Sequence, residues 1–205
     1  MAFSADEGKE FFREWMKYFC LGQDGIRTIL DIGAGAGAYA DLVNELEPWF
    51  LRWNSPVPII DGIEIYEPYV ARHNLDKKYR RIYVGDATEM DIGVYDLIIL
   101  GDVLEHLDKF QAMAFWVSLL NKARFLYLSI PVTRFRPWFH GYVQPESDWE
   151  ENEAEKHKYN WTYEEILKIF GGDHHNAEIT RRNRFLWQVP FRTVVVLIAE
   201  GNLTK

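Results

Sequence analysis

The sequence predicts an α/β fold, doubly wound around a mostly parallel sheet, and two observations carry that prediction. Short β-rich runs at 28–32, 58–66, 81–84, 95–100 and 124–130 alternate with helical patterns or turns, the order that closes as right-handed crossovers with helices on both faces. The first run leads into Asp31-Ile32-Gly33-Ala34-Gly35-Ala36-Gly37 and then a helical pattern. A glycine loop in that place turns backbone N–H groups and a helix N-terminus toward a ligand without side chains in the way.

Residues 6–20 put Phe11, Phe12, Trp15, Met16 and Phe19 at helical spacing, an amphipathic opening helix inside an N-terminal segment 1–22. After the glycine loop, Tyr39, Leu42, Val43 and Leu46 repeat at helical spacing and stop before Pro48. Trp49, Phe50, Trp53, Asn54 and two more prolines read as an irregular insertion over 48–58. A later helix is expected at 110–121. From 133 to 161 an aromatic and acidic stretch lacks apolar periodicity, and a loop that long in a compact domain reads as a lid or substrate segment. Residues 162–170 resume a helix, with Thr162 as N-cap and Glu165 at the capping-box position. Two strands at 178–182 and 193–199 close the chain, too near each other for a helical crossover and so antiparallel.

A length of 205 residues, 48% hydrophobic, supports one core and one domain over 1–205. Lys+Arg 23 against Asp+Glu 31 gives −8, which disfavours a nucleic-acid partner unless basic residues gather on one face. The clusters Arg134, Arg136 and Arg181, Arg182, Arg184 are too small to decide this. Cys20 is the single cysteine and reads as a half-buried core residue rather than a nucleophile. The start, MAFSADEGKE, carries acids where a secretory signal carries positive charge, and the longest apolar run, 194–199, is too short to span a bilayer. The expected location is the cytoplasm, without a membrane partner; the oligomeric state is open.

Taken alone, the glycine loop leaves two ligands open. Gly33, Gly35 and Ala38 also fit the dinucleotide fingerprint G-x-G-x-x-G/A, so a nicotinamide enzyme stands as an alternative. Asp31 discriminates: a carboxylate beside the glycines would repel a pyrophosphate yet accepts hydrogen bonds from an ammonium group. On these residues the sequence resembles the class I methyltransferase family, which uses S-adenosylmethionine and whose first motif reads acid-x-Gly-x-Gly-x-Gly. The resemblance implies that Asp31, Gly33, Ala34, Gly35 and Gly37 hold the cofactor's methionine portion, and that the sheet has seven strands with an antiparallel last strand.

The second strand ends Gly62-Ile63-Glu64-Ile65, where a carboxylate accepts both ribose hydroxyls. Dehydrogenases place an acid there too, so Glu64 does not separate the readings. Gly85-Asp86-Ala87 after the third strand resembles the family's adenine site, although a Gly-Asp turn is also a common structural feature. The fourth strand runs into Gly101-Asp102-Val103-Leu104-Glu105-His106-Leu107, similar to a stretch found in small-molecule members of the family. There Gly101 and Asp102 are implied to border the cofactor, with Glu105 and His106 near the methyl group.

Asp102, Glu105 and His106 stand at i, i+3 and i+4 and on a helix would share one face able to bind a metal. A metal-dependent branch of the family, with some quinone and RNA 3′-end methyltransferases, uses a related E-x-x-E-H arrangement. With Asp in the first place and no fourth ligand evident, the expectation carried forward is no metal. His157, before the capped helix, is either a general base or substrate ligand or a plain loop histidine. The expected catalytic group is His106, His157 and Glu105.

Trp138, Phe139, His140, Tyr142, Trp149 and Trp161 either roof a flat acceptor or form a core satellite under the long loop. Glu146, Asp148, Glu150, Glu151, Glu153 and Glu155 disfavour an anionic acceptor, or form a solvated lid face. The expected function is methyl transfer from S-adenosylmethionine to an oxygen or nitrogen of a small, aromatic or amphipathic acceptor. Its alternatives are an RNA or DNA methyltransferase and a methyltransferase-like binding or scaffold subunit without turnover.

Overall fold

Leu97, Ile98, Ile99 and Leu100 are all fully buried, yet they divide between two cores, Leu97 and Ile99 in one and Ile98 and Leu100 in the other. Side chains of a strand alternate in direction, so this division means a sheet covered on both faces. The chain is described from a computed structural model over residues 6–19, 21, 25–132, 134–136, 139–140, 152–170, 184–190 and 194–203.

The main sheet has seven strands: β1 Thr28–Ile32, β2 Ile59–Glu64, β3 Arg81–Val84, β4 Tyr95–Gly101, β5 Ala123–Pro131, β8 Arg184–Pro190 and β9 Val194–Glu200. Their order is β3-β2-β1-β4-β5-β9-β8. The first five pair in parallel, and β9 runs antiparallel between β5 and β8. The order turns back between β1 and β4, and such a switch point in an open sheet leaves a crevice beyond the strand C-termini.

Helix α1 Asp6–Phe19 lies on one face. Its Phe12, Trp15 and Met16 pack in one core with Tyr39, Phe125, Tyr127 and Ile198, and the Tyr127 hydroxyl donates to the Gly8 carbonyl at 2.6 Å. Helices α2 Ala38–Glu45 and α3 Glu47–Arg52 follow the glycine loop, and α4 Pro68–Arg72 and α5 Leu75–Lys78 follow β2. The opposite face is covered by α6 Lys109–Leu119 and α7 Tyr163–Ile169, through Phe115, Trp116, Leu119 and Ile166. Thr162 caps α7 with the full capping box expected of Thr162 and Glu165. Among the described residues no helix is long and apolar enough to cross a membrane.

Several expectations change. The insertion at 48–58 begins as α3, because Pro48 sits in the first turn of a helix, where its missing N–H costs nothing. A short ladder of β6 Arg134–Arg136 with β7 Phe139–His140 stands at the start of the aromatic stretch. Trp161 is fully buried and packs edge-on against Tyr159 and Phe170, so it belongs to the core and not to a roof. Cys20, Arg181, Arg182, Trp138, residues 141–151 and the expected strand at 178–182 lie outside the described residues.

Candidate active site

The glycine loop is shaped by left-handed backbone. Gly33, Gly35 and Gly37 have φ of 74°, 52° and 79°, where L side chains are strained. At Gly33 a Cβ would also stand 2.7 Å from Val103 Cγ2, so this glycine lets the β4 edge close onto the loop. The N–H groups of Gly33 and Ala34 both donate to the Ile63 carbonyl, at 2.9 and 3.0 Å, which ties the loop to β2.

Asp31, beneath the loop, is 1% exposed. Tyr79 donates to its Oδ2 at 2.5 Å, while Oδ1 is buried without a hydrogen-bond partner. Burial pushes the carboxyl up to about 7, against the pull of Tyr79 and with a further push from Glu64. A buried carboxylate that wants a positive neighbour sits at the base of the loop. Glu64 is also buried; its Oε2 accepts from Gly35 N at 2.7 Å and its Oε1 from Tyr66 N at 2.8 Å. Burial raises its pKa, and those two N–H groups hold it back. Each oxygen retains a second lone pair for a ligand hydroxyl. Ile65 beside it is 51% exposed, an apolar surface at the mouth of the crevice.

Gly85 N donates to the Glu64 carbonyl at 2.9 Å, which sets Gly85, Asp86 and Ala87 next to β2's end. Asp86 Oδ1 accepts from Thr88 N and Oγ1 at 2.9 and 2.7 Å, so this acid also stabilises its own turn. Gly101, at the end of β4, is held by Tyr39, whose ring would lie 2.2 Å from an added Cβ. Asp102 follows with φ 57°, and its N–H donates to the Ser129 carbonyl at 2.9 Å.

That left-handed residue alters the shared-face expectation. The helical turn begins only at Leu104 and is a short 3₁₀ segment, Leu104–His106, so Asp102 does not share a helix face with the other two. Instead Glu105, His106 and His157 offer ligand atoms all within 4.8 Å of one another. His157 arrives because Lys158 N and Tyr159 N both donate to the Glu105 carbonyl, at 2.9 and 3.1 Å. His106 Nδ1 lies 3.3 Å from the Lys156 carbonyl, and the two imidazoles meet edge-to-face with centroids 5.0 Å apart.

Burial, the Asp102 charge and, more weakly, Glu155 push Glu105 well above the usual carboxylate range, and neither of its side-chain oxygens has a hydrogen-bond partner. Burial lowers His106 and, with His106 beside it, brings His157 down to about 4. Two neutral imidazoles and a buried, unpartnered carboxyl make a donor set suited to a borderline or hard divalent cation. Sequence reasoning missed three residues that buttress the site from outside: Tyr79 on Asp31, Tyr39 against Gly101, and Tyr69, whose hydroxyl hydrogen-bonds Glu155 and Asn152. All three contacts join segments remote in sequence, so no local pattern announces them.

No protein-family model matches the chain, and no curated protein matches it. Solved structures do match. The N-terminal domain of EvdMO1 with S-adenosylhomocysteine bound aligns with a TM-score of 0.59, over 97% of this chain and 82% of that one, at 14% identity. The magnesium protoporphyrin IX methyltransferase ChlM from Synechocystis PCC 6803, with S-adenosylmethionine bound, aligns with a TM-score of 0.58 over 95% and 78% at 18% identity. The small RNA methyltransferase HEN1 aligns with a TM-score of 0.62, over 100% of this chain and 26% of that one, at 19% identity. The likeness is one of fold: an α/β, mostly parallel sheet of the Rossmann-like methyltransferase kind.

Proposed function

We propose that this chain transfers a methyl group from S-adenosylmethionine to an oxygen of a small, aromatic or amphipathic acceptor, with a divalent cation held by Glu105, His106 and His157. The observation that carries the cofactor reading is Asp31, buried under three left-handed glycines with Oδ1 unpartnered. An ammonium group would restore its charge and satisfy that oxygen, whereas a pyrophosphate would be repelled. The residues fit the rest of the cofactor as well. Glu64 accepts the ribose hydroxyls, Ile65 offers apolar surface to the adenine, and Asp86 with the Ala87 N–H meets the adenine edge.

When bound, S-adenosylmethionine supplies an electrophilic methyl on a good leaving group, so in-line placement provides most of the acceleration. The protein contributes that placement: Asp31 and Glu64 would anchor the methionine and ribose portions of the cofactor, and Gly101 and Asp102 would wall it from the β4 side. His157, at about 4, is too weak a base to remove a hydroxyl proton efficiently near neutral pH. A ligand role suits it better. A divalent cation at this trio would supply Lewis acidity, lowering the pKa of an acceptor hydroxyl. That favours oxygen over nitrogen, since a neutral amine needs no such help.

A second reading places the acceptor on a small RNA, since the structural neighbour HEN1 is a small RNA methyltransferase. The same cation site would serve it, but the net charge of −8 opposes a polyanion. RNA retention that falls steeply with salt would support this reading, and no retention at low salt would remove it. The cofactor reading is tested by a thermal-shift panel. S-adenosylhomocysteine is expected to raise the melting temperature and NADH to leave it unchanged; the reverse result would assign the loop to a dinucleotide.

A further inference from the structure

A single short segment, residues 152–159, touches both halves of the site. At one end Asn152, buried, and Glu155 hydrogen-bond the hydroxyl of Tyr69, the α4 residue that follows β2 and Glu64. Glu155 also acts electrostatically on Glu64, at the end of β2, and on Glu105, in the turn after β4, so its carboxylate lies near both. At the other end the segment supplies His157 to the cation trio and ties Lys156 O, Lys158 N and Tyr159 N to His106 and Glu105. Past Tyr159 it is anchored, with Lys109 donating to Tyr159 Oη at 3.0 Å and to Glu165 at 2.6 Å.

We propose that residues 152–159 form a strap across the crevice, and that Tyr69 is the positioning residue through which cation binding at Glu105, His106 and His157 and cofactor binding at Glu64 strengthen each other. This rests on the function proposed above. A cation held by Glu105 and His106 would fix the strap through its bond to His157; the strap in turn seats Asn152 and Glu155 on Tyr69 beside the Glu64 end of β2. A cofactor held at Glu64 then resists the strap's departure, and with it the loss of His157 from the cation. Coupling of this kind is reciprocal by thermodynamic necessity.

The test uses Co²⁺, whose visible absorption reports its ligands, and S-adenosylhomocysteine, on the full chain. Saturating S-adenosylhomocysteine is expected to tighten Co²⁺ binding at least fivefold, and saturating Co²⁺ to tighten S-adenosylhomocysteine binding in calorimetry by the same factor. Tyr69→Phe is expected to bring that factor close to one while Co²⁺ affinity without cofactor stays at the wild-type value; Glu155→Gln, which keeps the shape of the contact, is expected to retain part of it. Identical Co²⁺ titrations with and without a bound cofactor would overturn the coupling and leave the cofactor reading standing. Full coupling in Tyr69→Phe would overturn the role of Tyr69, and absence of Co²⁺ binding would overturn the inference. Absence of S-adenosylhomocysteine binding in either arm would instead remove the proposed function, and the inference with it.

Discussion

Tyr79 donates its phenolic hydrogen to Asp31 at 2.5 Å, from a position 48 residues further along the chain. The bond leaves Asp31 near 7 despite helping its charged form, because burial dominates. A carboxylate raised above its unfolded value of 3.8 is bound to its proton more tightly in the folded state. Its cost to stability therefore begins near pH 4, grows up to about pH 7 and is constant above. Roughly three pKa units at ~1.4 kcal/mol each set an upper bound of about 4 kcal/mol. Asp31→Asn is expected to melt higher than the parent, by a margin that widens between pH 4 and 7 and then levels. A margin independent of pH would show that Asp31 is not raised.

The same group makes cofactor binding proton-linked. An ammonium beside Asp31 favours the ionised form, so S-adenosylhomocysteine affinity is expected to climb by up to tenfold per unit between pH 5.5 and 7 and to flatten by pH 8. Calorimetry in two buffers of different ionisation heat checks this, since proton release on binding accompanies the climb.

At Glu105, His106 and His157 the expected outcome is stabilisation by a divalent cation. At about 100 times its dissociation constant the gain is about 2.7 kcal/mol, roughly 5–10 °C for a chain of this size. Both histidines are lowered and already neutral at pH 7, whereas Glu105 is raised and must lose its proton. The gain should therefore grow as pH rises. Glu105→Gln and His157→Ala are each expected to abolish it in thermal melts with Mn²⁺, Co²⁺ or Zn²⁺; an unchanged gain in either variant would dissociate the trio from the cation.

Gly101→Ala forces a Cβ into the Tyr39 ring, which is itself buried. Overpacking of that kind costs about 1–3 kcal/mol, and urea melts are expected to show it. Tyr39→Leu in the same chain should restore part of the loss, because the obstacle is the ring. No loss in the single variant would mean that the strand end shifts freely.

Thr162→Ala removes one half of the capping box on α7 and is expected to cost about 1 kcal/mol. Glu165, its partner, is pulled down to about 2: burial opposes the charge, and hydrogen bonds from Lys109 and Tyr159 outweigh it. A depressed carboxylate stabilises above its unfolded pKa and loses that contribution as pH falls from about 4.5 toward 2. Lys109 and Glu165 are both partly exposed, so solvent screening keeps the pair to about 1 kcal/mol or less. Acid melts of Glu165→Gln should be flatter than those of the parent across that interval.

Much of the fold was legible because its signals are local. Runs of buried β-branched and leucine residues marked β1 and β4, and the β-rich run Ile82-Tyr83-Val84 marked the exposed edge strand β3, each to within a residue, and Thr162 with Glu165 marked the start of α7. The glycine loop and the acids at Asp31 and Glu64 were legible for the same reason. What escaped depends on chain folded back on itself. Pro48 opens α3, a choice of helix start over helix stop that one proline does not signal. The shared face of Asp102, Glu105 and His106 fails because Asp102 turns left-handed before the helix begins. The missing partner of that trio, His157, reaches it only through backbone bonds from Lys158 and Tyr159 to Glu105, about fifty residues away in sequence.

The most direct test of the cofactor assignment is a calorimetric titration of the purified chain with S-adenosylhomocysteine, alongside Asp31→Ala and Glu64→Ala. One-to-one saturable binding in the parent, lost or at least tenfold weaker in both variants, is the outcome expected. No saturable binding, or binding that both variants retain, would contradict the assignment of the glycine loop and of the acids at the ends of β1 and β2.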